Sequence, residues 1–325
     1  MAYSLGTLSA AVQSALLADK PMMVPTNLAE FPQTAAQWRT AGSWASGSDD
    51  TATGYGGRRA YDRFPNSQTK GTTAGTTFYL IFDMHTTAAT VGDAGTFDTV
   101  AILNHNLGTL LGAGETAAVS VEISDNSNFS SAYEVANRTN ITTDKRLIWW
   151  SLGVPEGTTY KTITGARYAR VKITTSASIA APSIGQVIFG RRYQMSQRSN
   201  VPYDDEQYQS TVVDFRSQGG VVSRYKRNSG GRVFEPSWNP TGSDGFGLDD
   251  VTTLRSWFKN CDYGSKPFLF IDKPYSERET AFTSVTRAGH YVVADPALNM
   301  VASGPTLREA GFRFDEVAPF LSGES

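Results

Sequence analysis

The sequence predicts a mainly β protein of two domains: an antiparallel β-sandwich, then a small β-barrel or sandwich that carries one helix. Three observations carry that expectation. Short segments of alternating apolar and polar residues recur through the first two thirds, the period-2 signature of strands half-buried in an antiparallel sheet. Gly, Ser, Thr and Asn clusters divide them, as the turns of a sandwich require. In the last third a single stretch places apolar residues on one helical face and then runs into a strand apolar on both faces. At 325 residues the chain is too long for one small core, so two domains are the natural division.

Residues 1–24 read as an arm. Leu8, Val12, Ala15 and Leu16 suit one short helix, which Pro21 and Pro25 stop, and the arm packs either on its own domain or on a neighbouring subunit. It lacks the basic start and long apolar run of a signal peptide. From Pro25 to Gly75 aromatics stand among turns: Phe31, Trp38, Trp44, Tyr55, Tyr61 and Phe64. They serve either as the lids of a sandwich or as stacking platforms for sugars.

Six strands follow, at 77–83, 97–103, 118–124, 146–150, 168–174 and 184–190. In the third, Val119, Val121 and Ile123 face one way while Ser120, Glu122 and Ser124 face the other. The run 191–205 changes from basic to acidic around Pro202 and marks the junction, so the sandwich is set at 25–195 and the second domain at 196–325. There, 209–215 and 221–225 form a hairpin around Gln218-Gly219-Gly220. Arg232–Glu235 is a strand, Asp249 or Asp250 caps a helix, and Val251, Leu254, Trp257 and Phe258 form that helix's apolar face. Gly264 stops the helix, Pro267 to Ile271 is a buried strand, and two last strands fall at 291–294 and 311–317.

Two resemblances add to this. The elements around Trp238, Asp249-Asp250, Trp257-Phe258, Gly264 and Pro267-Phe268-Leu269-Phe270 resemble the ring-forming, tail-tube-like domain of phage distal tail and baseplate proteins. The strands ending Asn104-His105-Asn106 and containing Arg167-Tyr168-Ala169-Arg170-Val171, with the closing Ile184 to Phe189, resemble discoidin-like, galactose-binding-like jelly rolls. In the distal tail family the ring domain usually comes first, whereas here the order is reversed. The first resemblance implies a structural protein of a phage tail tip or baseplate. It would be made in the host cytoplasm, carried in the virion, assembled as a hexameric ring and bound to tube, hub or baseplate proteins. The second implies the sandwich fold, and on the tail reading that sandwich would decorate the outside, bind neighbouring tail proteins or touch host surface glycans. The alternative is a carbohydrate-binding module or glycan-active enzyme that works through the sandwich.

Composition narrows the chemistry. Charged residues are 18% of the chain, and 29 basic residues nearly cancel 31 acidic ones, so no basic field exists to hold nucleic acid. No stretch approaches the roughly 18 apolar residues that span a membrane. Cys261 is the sole cysteine, which excludes an intrachain disulfide and a thiolate cluster. His85, His105 and His290 have no partner at metal-ligand spacing. Gly112-Ala113-Gly114-Glu115-Thr116-Ala117 fits a dinucleotide fingerprint in letters only, because it leads into a strand instead of opening a helix. The acidic groups Asp49-Asp50, Asp204-Asp205-Glu206 and Asp249-Asp250 suit solvated turns and a helix cap better than a glycosidase pair. A calcium loop, if any, would draw on Asp49, Asp50, Asp93 and Asp125. The sequons at Asn128, Asn137 and Asn140 are chance matches in a Ser/Thr-rich chain. The expectation is a non-enzymatic protein with no catalytic residues, metal or cofactor, and chiefly a surplus of aromatics in 196–325 as the motive for a ring.

Overall fold

The Met22–Val24 strand sits one place in from the edge of the protein's C-terminal sheet, although some 170 residues separate it from the next strand of that sheet. This placement organises the chain. The structure, a computed structural model, describes residues 4–25, 35–40, 57–62, 68–84, 96–141, 147–151, 161–198, 207–209, 212–216, 222–226, 231–238, 248–274, 289–294, 300–302 and 308–316.

In chain order, β1 (Ser4–Thr7), α1 (Ala10–Leu17) and β2 (Met22–Val24) come first. Next are β3 (Ala35–Thr40), a 3-10 turn at Gly57–Ala60, β4 (Thr69–Lys70), β5 (Gly75–Asp83), β6 (Thr96–Phe97) and β7 (Thr99–Leu103). The short α2 (Leu107–Leu110) leads to β8 (Ala117–Ser124), β9 (Tyr133–Ile141), β10 (Leu147–Ser151) and β11 (Lys161–Thr164). β12 (Tyr168–Ile179), β13 (Ser183–Ile184), β14 (Gln186–Gly190) and β15 (Tyr193–Gln194) follow. The remainder holds β16 (Gln207–Gln209), β17 (Val212–Arg216), β18 (Val222–Lys226), β19 (Gly231–Phe234), β20 (Ser237–Trp238) and α3 (Leu248–Asn260). Last come β21 (Phe268–Ile271), β22 (Gly289–Val293), β23 (Met300–Ala302), β24 (Arg308–Gly311) and β25 (Phe314–Glu316).

The chain divides into two compact units, residues 1–14 with 26–192, and residues 15–25 with 193–325. It is mainly β, and the first unit is an antiparallel sandwich. A five-stranded sheet, β3-β5-β12-β8-β9, and a three-stranded sheet, β10-β7-β14, share one apolar core. The alternation in sequence does the sorting. Phe78, Leu80 and Phe82 of β5, Val171 and Ile173 of β12, and Val119, Val121 and Ile123 of β8 all point into that core. From the other sheet come Val100, Ile102, Ile148, Trp150, Val187 and Phe189. Phe189 meets Phe82 and Phe97 edge-on, with centroids 5.1 and 5.5 Å apart. Such contacts are worth about 0.5–1.5 kcal/mol each beyond the buried area.

In the second unit a seven-stranded antiparallel sheet runs β15-β2-β21-β22-β25-β19-β16. Beside it are the sheet β20-β24-β23 and the hairpin β17-β18, which pairs Val212 with Lys226 as the sequence anticipates. Trp257 of α3 is the centre of the core. Phe268, Phe312, Phe314 and Phe258 lie 5.0, 5.3, 5.9 and 6.1 Å from it by ring centroid.

The arm is not one element. β1 pairs with β11 of its own chain, Leu5 opposite Ile163, whereas β2 pairs with β21 and β15, Met23 lying between Phe270 and Tyr193. Residues 1–24 are therefore shared between the two units, and the sandwich is carried between β2 and β15, two neighbouring strands of the second unit. The junction falls at residues 192 and 193, inside the stretch whose composition changes.

Two local expectations about α3 need correction. The helix begins at Leu248, so neither Asp249 nor Asp250 stands at its cap. It ends at Asn260, and Asp262 and Tyr263 already take left-handed backbone (φ 51° and 55°) ahead of Gly264 (φ 85°). The hydrogen bond from Tyr263 N to Phe258 O (2.9 Å) closes this turn and lets non-glycine residues hold the conformation. A third correction concerns the aromatic surplus. Phe234, Trp238, Trp257, Phe258, Phe268, Phe270, Phe312 and Phe314 are buried in their own unit, and of those described only Tyr263 is exposed. Phe215, Tyr225, Phe246, Tyr275, Phe282, Tyr291 and Phe320 have side chains outside the described residues.

Candidate functional site

The outer face of the five-stranded sheet holds the densest polar cluster among the described residues. Register sets it up: Ile81, Arg170 and Glu122 lie in one row across β5, β12 and β8, and Tyr79, Lys172 and Ser120 in the next. Arg170 Nε donates to Glu122 Oε2 at 2.5 Å, its terminal nitrogen donates to the same carboxylate, and Lys172 Nζ reaches Oε1 at 3.4 Å. The Arg170 guanidinium lies between two rings, 4.5 Å from the Tyr79 centroid and 4.3 Å from that of Phe129. Arg170 and Glu122 are 7% and 6% exposed, so a charged pair on the solvent side of a sheet has been covered.

The turn after β8 provides the cover. Phe129, in left-handed backbone at φ 54°, is buried against Tyr168 and Arg170. Further along, Arg167 pairs with Asp83 at 3.3 Å, and that hydrogen bond raises the guanidinium pKa. Burial pushes the Tyr168 phenol up, and the Asp83 charge pushes it the same way. The other half of the face is open: Lys172 and Tyr79 are half-buried, and Asn137 and Thr174 are exposed.

A second cluster fixes the last residue of the sandwich. Asp98 Oδ1 accepts from Arg192 N (2.9 Å), Arg192 Nε (3.2 Å) and Thr99 Oγ1 (2.9 Å), and Arg192 also donates to Asp98 O at 2.8 Å. Both side chains are buried, so an ion pair with several hydrogen bonds clamps β14 where the chain leaves.

The sequence candidates scatter. His105 is buried, its Nδ1 accepting from Leu107 N at 3.3 Å, while Asn106 Oδ1 accepts from Ser183 N at 2.8 Å. The Asn104-His105-Asn106 trio thus ties a corner to the β13 strand. Gly112 and Glu115 close a turn on each other, the Glu115 carboxylate accepting from Gly112 N at 2.7 Å, and Gly114 (φ 82°) leads straight into β8. No phosphate cradle forms there.

Asp250 is 1% exposed in the first turn of α3, and its carboxylate accepts from Ser196 N (2.8 Å) and Ser196 Oγ (2.5 Å). It anchors the segment after β15 and benefits from the positive end of the helix. Cys261 is fully buried, and burial pushes its thiol well above the usual range.

His85, Asp49-Asp50, Asp93 and Asp204-Asp205-Glu206 lie outside the described residues, as do the side chains of His290, Trp38 and Trp44. Trp150 is described and fully buried, so it offers no platform. Among the described residues Asp125 belongs to no group of three or more His, Cys, Asp or Glu side chains that could hold a metal ion. No helix among the described residues is long and apolar enough to cross a membrane. Sequence reasoning missed the Glu122–Arg170 pair, although two opposite charges on the polar faces of consecutive sheet neighbours were its signal.

No protein-family profile matches the sequence, and no curated protein matches it. Solved structures do. The CBM32 of AlyQ in complex with 4,5-unsaturated mannuronic acid aligns at 19% identity and a TM-score of 0.29, covering 42% of this chain and 86% of that one. Chitosan-binding module 1 of a Paenibacillus chitosanase/glucanase gives 16%, 0.31, 50% and 97%. A Ruminococcus gnavus GH29 fucosidase in complex with fucose gives 15% and 0.33, covering 51% of this chain and 26% of its own.

Proposed function

We propose that this chain is a non-enzymatic assembly protein of a phage tail tip or baseplate, in which the second unit is the assembling body and the sandwich meets a partner. One observation carries the reading: the sandwich lies between β2 and β15, neighbouring strands of a sheet that is otherwise continuous. A body that keeps its own sheet while carrying a second domain between two strands fits a ring subunit with an outward appendage. The second unit begins at the N-terminal side of the sandwich, with β2, so the sandwich follows the first strand of the body.

The same insertion serves a second reading, in which the sandwich is the working part and binds carbohydrate. Native mass spectrometry and particle micrographs test the first reading, with a closed ring, six copies by the tail resemblance, as the expected result. A protein that stays monomeric in solution and in the particle removes it. Glycan-array binding by the 26–192 fragment tests the second.

A further inference from the structure

We propose that β1 is an exchange strand: in the assembled protein it leaves its own β11 and pairs with β11 of a second copy. The inference rests on the assembly reading and names the contact that joins one subunit to the next. β1 adds a ladder to the sandwich and nothing to its core. Its four residues are all exposed, and Leu5 stays outside the apolar cluster to which Ile163, directly opposite, belongs. The strand is held by four backbone pairs, from Ser4 with Thr164 to Thr7 with Lys161. The arm is also where apolar surface is left bare. Of the three large apolar side chains exposed among the described residues, Leu5, Leu17 and Tyr263, two belong to it. α1 buries one side chain, Leu16, and residues 4–18 carry no charged group.

Outer strands are ordinarily guarded by charges or proline against pairing with another chain. β1 ends its sheet, β1-β11-β6, and has neither. The ladder itself identifies the occupant. Every copy carries a β11 edge that already fits β1 residue for residue, so exchange between copies needs no new complementary surface. Leu8 and Ser9 are the hinge. Ser9 Oγ accepts from Val12 N at 3.4 Å and caps α1, so the strand turns about this link while the helix keeps its start. Exchange trades one ladder for an identical one. Its gain is the apolar surface of Leu5 and α1, which the neighbouring copy then covers.

The test is site-specific disulfide formation in the full-length protein. A Cβ added at Gly6 would lie 3.8 Å from the Thr162 Cβ, within the span of a disulfide. The native Cys261 is buried and does not compete. Chains with Gly6→Cys are co-expressed with chains with Thr162→Cys, then oxidised. The expected result is a covalent heterodimer on a non-reducing gel, lost when Thr164→Cys, two residues out of register, takes the place of Thr162→Cys. Deleting residues 1–8 should reduce the assembly to monomers in native mass spectrometry, with an unchanged far-UV spectrum. Absence of the heterodimer, equal linking in and out of register, or a truncated chain that still assembles would each overturn the proposal. A ring whose doubly substituted chains close the disulfide only within themselves loses this inference and keeps the assembly reading. Linked dimers that never close into a ring do the reverse.

Discussion

Replacing Glu122 by leucine tests whether the covered ion pair holds the sandwich together. The perturbation leaves the Arg170 guanidinium 7% exposed between two rings with its carboxylate gone. Side-chain exposure is 8% for each partner, so solvent screens the pair little. Breaking a buried pair from one side costs about 3–5 kcal/mol, because an uncompensated charge remains. For a domain of this size that lowers the melting temperature by roughly 10 °C. Adding Arg170→Met removes the stranded charge, and the double variant should recover to within about 1–2 kcal/mol of the wild type. Urea unfolding of the four members of the cycle measures both the single losses and the coupling. A loss below about 1 kcal/mol for Glu122→Leu alone, the level of an exposed pair, would refute the reasoning. So would a double variant as unstable as the single.

Other outcomes follow from the same physics. Asp98→Ala should cost about 3–5 kcal/mol, since Arg192 is buried and bound to Asp98 by side chain and backbone; thermal unfolding reads it. Trp257→Ala should cost about 3–5 kcal/mol. Trp257→Phe should cost much less, because it also removes an indole N–H that has no partner among the described residues. Cys261 should resist thiol reagents until its unit unfolds. Below about pH 8.5 both folded and unfolded states keep its proton, so it contributes no pH dependence there. Above that the unfolded chain releases the proton and the native protein holds it, so stability should fall by about 1.4 kcal/mol per pH unit; urea midpoints at pH 8 and pH 10 check it. The 26–192 fragment should fold and melt cooperatively without β1, whose residues are all exposed; far-UV dichroism decides that.

The six sandwich strands were legible because several, such as β5, alternate against one core, while β7 and β14 are short runs buried along their whole length. β9 was not, and the reason is local. The register between β8 and β9 shifts after Val121, so Val135 and Ala136 are both buried side by side and the alternation breaks. The apolar face of α3 was legible from Val251, Leu254, Trp257 and Phe258, but its start was not, since Asp250 binds Ser196 instead of a helix end. β2 has three residues between prolines and no period to detect. Its partners are chosen by tertiary packing, which sequence spacing does not encode. The outer-face cluster was half-visible: Glu122 and Arg170 stood on polar faces, but the Phe129 turn that covers them is a backbone event.

The position of β2 has a consequence for how the chain is made. During synthesis, β2 emerges ahead of the sandwich and then waits for β21, which follows it. As an open loop, the roughly 170 residues between β2 and β15 would oppose the pairing of those two strands by about 4–5 kcal/mol of closure entropy on the logarithmic scale, before any constant. Once the sandwich has folded, the same residues form one rigid spacer, and most of that opposition is already spent. The sandwich therefore acts as an early-folding splint, and in stopped-flow refolding its signals should precede the burial of Trp257. Variants that slow the sandwich should delay the second unit without touching a single residue of it.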